Sequence, residues 1–416
     1  MKLKSFKIQN YKSCQKTELQ LNEELTCLIG VNGSGKTNIL NAIFLIKLKG
    51  YLTLFGKNIE SFKQSIVNIE LIDDDMKILY IRGRIIFDID EHNKDYIQDV
   101  IFKMNFKNFI KNQNWFNIPL MDISNYSSII QDMKERLNSK KDFFSELYMF
   151  DIKLQKVDIK SINIIEKLYI LAYNFFSNIN YYSASIFAEP TKCPSSVEFE
   201  NNQPKIKLNS EIGHIKFIID LFELSKKKET DFKSYLNIVN KSGIGLIDNI
   251  IFTEVPLPSQ SYEVKSAENI KVKESKRLLV VPNFQIDGIN LSPNQLSEGT
   301  FRTLALIFYI LNDDSKLLLI EEPEVCVHHG LLSSIIELIK SQSKHKQIII
   351  STHSDFVLDQ LEPENIVLVK RDDKKGTTIK SLTKSMSRND YKALRNYLNE
   401  TGNLGEYWKE GGFDNE

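Results

Sequence analysis

Long hydrophobic runs and paired cysteines are both missing from this chain of 416 residues. The longest unbroken apolar stretch, 304–311, falls far short of the roughly 18 residues that a membrane-spanning helix needs. The amino terminus, MKLKSFKIQN, alternates polar and apolar residues where a secretory signal needs a continuous apolar segment. Cys14, Cys27, Cys193 and Cys326 are scattered with no C-x-x-C pair, which argues against a structural zinc site and against a disulfide framework. The expected compartment is cytoplasmic, with no membrane partner. Neither sign of charge dominates, since 54 Lys and Arg stand against 54 Asp and Glu. No overall field therefore draws the chain to nucleic acid, and a DNA partner has to rest on a local basic face.

What is present is an ordinary globular composition, 42% hydrophobic and 26% charged, with no fixed-period repeat. Periodicity predicts strands at 3–8 and 25–29, a glycine-rich turn, and a helix from about residue 36 to 46. Partly alternating Ile-rich segments at 65–72 and 77–89 read as an antiparallel hairpin around Asp73-Asp74-Asp75, an acidic run better explained as a solvated turn than as a metal site. Residues 108–178 are Lys- and Asn-rich with helical candidates at 127–147 and 160–176, and Tyr181-Tyr182 closes a short strand. Residues 186–210 read as irregular chain, helical periodicity returns at 215–224 and 232–239, and 255–276 reads as a flexible loop. From Arg277 onward the pattern is denser. Strands are expected at 278–281, 317–320, 347–351, 366–370 and 377–382, with helices at 300–311 and 331–341. The expected organisation is a front half over 1–107, a mainly helical insertion over 108–276, and a closing half over 277–416.

Gly30-Val31-Asn32-Gly33-Ser34-Gly35-Lys36-Thr37 fits G-x-x-x-x-G-K-[ST], after an apolar strand and at the head of a helix. In such a loop glycines let backbone N–H groups turn toward phosphate oxygens, and the helix N-terminus adds its positive end. Lys36 is then expected on the β- and γ-phosphates and the Thr37 hydroxyl on Mg²⁺. By chance the pattern arises on the order of 0.01 times in a chain of this length. A flexible loop before a helix would explain the glycines but not Lys36-Thr37.

A second constellation lies far downstream. The apolar run 317–320 ends in Glu321-Glu322-Pro323-Glu324. Carboxylates at the end of a buried strand are costly without a partner, so Glu321 suits a Mg²⁺ contact and Glu322 a general base aligning the attacking water. Ser351-Thr352-His353-Ser354 follows the next strand and puts His353 at the same sheet edge, suited to the γ-phosphate. Leu296-Ser297-Glu298-Gly299-Thr300 precedes a helix and, by itself, is a capped helix start.

The ordered set GVNGSGKT, LSEGT, LLLIEEPE and STHS resembles ABC-type ATPases of the OLD, RecF and SMC group, most of all the stand-alone AAA-family ATPases with LSEGT and EEPE. Asn10-Tyr11-Lys12-Ser13 resembles the short motif those proteins carry between their first two strands, and residues 402–408, GNLGEYW, resemble the tail of predicted ATPases in the group. The resemblance implies an α/β fold, an ABC-type P-loop ATPase head with a mixed sheet, an antiparallel β subdomain and a helical insertion. It implies ATP and Mg²⁺ as cofactors, with nucleotide contacts from Lys12, Ser13, Asn32, Gly33, Ser34, Gly35, Lys36, Thr37 and Asn38. Ser297 and Gly299 of one subunit would meet the γ-phosphate held by Lys36 of another, which implies a head-to-tail homodimer or a higher oligomer. Tyr309 and its neighbours would be helix core.

This chain departs from the group at several positions. Glu321 stands where many ABC ATPases have Asp, and Val327-His328-His329 replaces a usual Leu-His-Pro. Cys326, His328 and His329 match no standard zinc spacing. Gln64 is the candidate for the glutamine such sites carry. The stretch after His353 is too short for the acidic nuclease domain of full-length OLD proteins, so a separate nuclease or toxin effector is the expected partner, in anti-phage defence. The other reading is a RecF- or SMC-like ATPase in DNA repair or chromosome maintenance, with Lys226-Lys227-Lys228 offering phosphate contacts. A transporter subunit is disfavoured by the long insertions and by EEPE.

Overall fold

A computed structural model describes residues 1–47, 65–89, 95–105, 108–109, 115–119, 159–201, 203–204, 212–257, 260–266, 269–274, 276–325, 327, 329–400 and 402–411. The chain divides into two compact units, one formed by Met1–Tyr181, Asp314–Glu322 and Ile339–Glu416, the other by Tyr182–Asp313 and Pro323–Leu338. The division does not follow the expected boundaries at 107/108 and 276/277. Gln64, Cys326, His328 and the expected helix at 127–147 lie outside the described residues.

The first unit carries the phosphate loop on a six-stranded sheet ordered Gly376–Ser381, Ile366–Asp372, Leu25–Ile29, Gln347–Thr352, Leu317–Glu321, Ile179–Ser183. The strands from Ile366–Asp372 to Leu317–Glu321 run parallel, and Gly376–Ser381 closes one edge antiparallel. Leu25–Ile29 and Gln347–Thr352 are buried at every position, as expected of strands covered on both faces, and this is why their apolar residues, such as Ile348, Ile349 and Ile350, do not alternate with exposed polar ones. Each fully buried Leu or Ile contributes about 1.5–3 kcal/mol.

A second sheet of the unit, all antiparallel, is ordered Cys14–Gln20, Lys2–Tyr11, Ser65–Ile72, Ile78–Ile89, Asp95–Asn105, Trp115–Pro119. The expected hairpin is there, its turn held by the Lys77 amide donating to Asp73 Oδ1 at 2.7 Å. Periodicity does not mark Cys14–Gln20, which has only two buried positions after Cys14, but Asn10-Tyr11-Lys12-Ser13 does lie at the turn between Lys2–Tyr11 and Cys14–Gln20, as the resemblance implied. Trp115–Pro119 carries the sheet past residue 107, into the span expected to be helical. The two sheets are tied through Gln347, 1% exposed. Its amide accepts from Leu3 N at 2.8 Å and donates to the carbonyls of Leu3 at 2.8 Å and Asn22 at 2.7 Å. The core between them includes Phe6, Ile8, Leu28, Ile39, Leu40, Ile43, Val67, Phe175 and Phe176, the last two from the helix Ile159–Ser177.

The second unit has helices Ile212–Lys227, Glu229–Val239 and Glu298–Asn312 and a sheet ordered Gln203–Pro204, Val197–Glu200, Arg277–Ile286, Asn249–Leu257. The loop expected over 255–276 is a correction. Among the described residues it holds the end of Asn249–Leu257 and a hairpin, Gln260–Ser266 with Asn269–Glu274. Pro256 is tolerated because Asn249–Leu257 is the edge strand, where a missing N–H breaks no second ladder. Pro282 sits where its strand changes partners, between pairing with Val197–Glu200 over Arg277–Val280 and with Ile289–Leu291 over Phe284–Ile286. Aromatic rings fill this unit's core. Phe217 meets Phe301 and Phe308 edge-on with centroids 5.5 Å apart, and the Tyr235 hydroxyl donates to the Leu304 carbonyl at 3.0 Å. Tyr309 is 9% exposed within this cluster.

Two further helices that the periodicity did not announce follow, Arg388–Glu400 and Leu404–Lys409. The second docks on the short helix Asp355–Asp359: the Gly405 amide donates to Asp359 Oδ1 at 2.7 Å and Lys409 pairs with Asp355.

Candidate functional site

The site grows from the strand Leu25–Ile29, which ends at Gly30 and turns through the phosphate loop into the helix Lys36–Phe44. Gly35 caps that helix with φ 108°, a left-handed conformation that side chains resist. A Cβ there would lie 2.1 Å from Thr377 Oγ1. Lys36 is 5% exposed, and its ammonium donates to the carbonyls of Gly30 at 2.7 Å and Val31 at 3.3 Å. Asn32 and Gly33 are exposed at the tip. Ser34 is 1% exposed, and its hydroxyl oxygen has no hydrogen-bond partner among the described residues.

The loop is braced by residues from both ends of the chain. Ser13 Oγ accepts from Asn38 Nδ2 at 2.7 Å and from the Thr377 hydroxyl at 2.7 Å. That hydroxyl also lies 3.1 Å from the Ser34 carbonyl, so its single proton can go to either acceptor. The Thr377 amide donates to Ser13 O at 2.7 Å, and Thr17 Oγ1 donates to Thr377 O at 2.7 Å. Lys12, at φ 46°, is exposed with its ammonium 5.6 Å from the centre of the Tyr11 ring. Cys14 and Tyr11 lie under this turn, and burial pushes both their pKa values up.

At the head of the helix the Thr37 hydroxyl donates to Glu321 Oε1. The other oxygen of Glu321 accepts from the Tyr181 hydroxyl at 2.6 Å. Glu322 follows with φ 47°, a conformation costly for a residue with a Cβ and one that concentrates at functional sites. Its amide donates to the Ser351 carbonyl at 2.9 Å, so the parallel ladder continues one residue past the strand and fixes the turn. His353 follows the neighbouring strand, with Nδ1 3.4 Å from Glu322 Oε1. The His353 and Glu322 side chains are 41% and 32% exposed, open enough to reach a ligand.

Ser297 and Gly299 belong to the other compact unit. Ser297 caps the helix Glu298–Asn312, its Oγ accepting from the Thr300 amide at 3.1 Å, and Glu298 pairs with Arg302 one turn on. Lys226 and Lys227 of the lysine run pair with Glu254 and Glu223. The structure thus gathers Ser13, Lys36, Thr37, Asn38, Glu321, Glu322 and His353 within one unit and leaves Ser297 and Gly299 in the other. Thr377 and Tyr181 were missed. Nothing short-range marks Thr377, and Tyr181 reads only as a residue of a short strand.

A helix N-terminus, a buried lysine and a buried hydroxyl with no partner among the described residues suit a polyphosphate. The adjoining Thr37 hydroxyl and Glu321 carboxylate form a hard oxygen set that suits Mg²⁺. Fold and site together define a P-loop ATPase. The AAA ATPase domain family matches residues 1–358, and the chain belongs to that family. Among solved structures it is similar to an SMC head bound to the C-winged helix domain of ScpA, with TM-score 0.50, 15% identity, and 93% of this chain and 99% of that one covered. This likeness concerns the fold. Among curated proteins it is similar to the DNA replication and repair protein RecF of Clostridioides difficile (strain 630), 34% identical over 83 residues, which is 20% of this chain and 19% of that protein. RecF of Phocaeicola vulgatus is 44% identical over 46 residues, 11% of this chain and 12% of that protein. The matched stretches thus span about a fifth or less of these relatives. No described helix is long and apolar enough to cross a membrane.

Proposed function

We propose that the chain is an ATP-driven switch that closes a head-to-tail homodimer around ATP, reopens on hydrolysis, and thereby controls a separate nuclease or toxin effector in anti-phage defence. The observation that carries the switch is the convergence of Thr37, Glu321, Glu322 and His353 at adjoining strand and helix ends, while Ser297 and Gly299 lie in the other compact unit. Lys36, Ser34 and the loop amides hold the phosphates, with Lys12, Ser13 and Asn38 beside them. Thr37 and Glu321 hold Mg²⁺, which when bound neutralises phosphate charge. Glu322 orients and deprotonates the attacking water, and His353 contacts the γ-phosphate. Ser297 and Gly299 of a partner copy find a γ-phosphate to contact only before hydrolysis, so closure follows the nucleotide state.

Wild-type turnover of ATP should exceed that of Glu322→Gln and Lys36→Ala proteins; equal rates would remove the hydrolytic roles. For the setting, deletion from the host should raise phage sensitivity. The RecF relatives support a second reading, an ATPase acting on DNA in repair or chromosome maintenance. That reading calls for ATP-dependent DNA binding that weakens steeply with salt, and for sensitivity to DNA damage rather than to phage.

A further inference from the structure

The carboxylate of Glu321 is held from two sides. Oε1 accepts from Thr37, at the first turn of the phosphate-loop helix, and Oε2 accepts from the Tyr181 phenol at 2.6 Å. A glutamate side chain has one more rotatable bond than the aspartate often found at this position, so one hydrogen bond leaves its head group freer to swing. A second, charge-assisted bond removes that freedom.

Tyr181 is itself fixed by the far end of the same helix. Its ring packs against Phe44, the last residue of the helix, with centroids 5.5 Å apart. The adjacent Asn180 accepts from Lys47 Nζ at 2.8 Å. Both ends of the phosphate-loop helix therefore bear on Glu321, the N-terminal end directly and the C-terminal end through the strand Ile179–Ser183.

We infer that Tyr181 is a positioning residue that aims Glu321 and so sets the affinity of the ATP site for its divalent cation. The inference rests on the Mg²⁺ role proposed above for Glu321. Tyr181 acts through the carboxylate and touches neither phosphate nor water. Outer partners of metal ligands commonly account for a 10- to 100-fold change in metal affinity.

The test uses the full chain, a fluorescent ATP analogue and titrated MgCl₂. Tyr181→Phe keeps the ring against Phe44 and removes only the hydroxyl. With EDTA present, Tyr181→Phe should bind the analogue as wild type does, which reports an intact loop. The Mg²⁺ concentration giving half of the cation-dependent change in binding should rise roughly 10-fold or more. In a Glu321→Asp background, where the shorter carboxylate no longer reaches the phenol, Tyr181→Phe should produce no further shift. An unchanged Mg²⁺ midpoint in Tyr181→Phe, or an equal shift in the Glu321→Asp background, would overturn the inference. Should Tyr181→Phe misfold and lose binding in EDTA, Phe44→Leu decides instead, since it loosens the ring that seats the phenol and leaves Glu321 itself intact: an unchanged Mg²⁺ midpoint would overturn the inference. Loss of the wild type's own Mg²⁺ dependence would instead fault the role of Glu321, a separate result.

Discussion

Glu322 and His353 face each other from neighbouring strand ends, with 3.4 Å between the carboxylate Oε1 and the imidazole Nδ1. The backbone of Glu322 sits at φ 47°, so the pair is arranged at a conformational cost that the Ser351 hydrogen bond helps to hold. Replacing Glu322, the base proposed above, by an amide of the same shape should slow hydrolysis by about 10²- to 10⁴-fold while leaving ATP affinity near wild type. Single-turnover kinetics of Glu322→Gln with equilibrium binding checks this; an undiminished rate assigns the base elsewhere.

The loop brace predicts a stability effect. Gly35→Ala combines a left-handed backbone with a Cβ 2.1 Å from Thr377 Oγ1, and should destabilise the protein by more than about 1 kcal/mol in denaturant unfolding. Thr377→Val keeps the shape but removes the hydroxyl facing Ser13 and Ser34, at a cost of about 1–3 kcal/mol and with weaker ATP binding. Wild-type stability and affinity in Thr377→Val would show that the brace is idle.

An alkaline limb is expected from Tyr11 and Cys14, whose pKa values are both raised by burial. The folded state then holds their protons more tightly than the unfolded chain does. Their contribution is complete below the ordinary thiol value of about 8.5 and is lost as pH rises through the higher folded values. Stability measured from pH 8 to 11 should fall, and Cys14→Ala should flatten the first part of the fall. Because only a thiolate reacts quickly, Cys14 should also resist alkylation at pH 8.5 until the protein unfolds.

The carboxyl-terminal dock gives a local prediction. A Cβ at Gly405 would lie 2.6 Å from the Asp355 carbonyl, so Gly405→Ala should release the helix Leu404–Lys409. Hydrogen exchange should speed up over 404–411 and spread to Asp355–Asp359, directly after His353. Unchanged exchange would mean that the contact is incidental.

The phosphate loop, the acidic strand end and the histidine turn were legible because each couples a local spacing to the end of a buried strand. The same holds for the parallel strands, whose burial on both faces gives them clustered apolar residues such as 317–320 and 348–350 in place of alternation. Strands at a sheet edge were harder. Asn249–Leu257 carries charge and proline because one side of its ladder is open, and those residues imitate a loop. Thr377 and Tyr181 were beyond reach for another reason. They meet Ser13 and Glu321 across 364 and 140 residues of chain, and only the packing of strands brings them there.

In the proposed switch ATP joins two copies, with Ser297 and Gly299 of each completing the site of the other. Sedimentation velocity of Glu322→Gln over a dilution series tests it most directly. Saturating MgATP should produce a dimer that ADP does not support and that Ser297→Arg abolishes. A protein that stays a single chain at every concentration with ATP bound would contradict it.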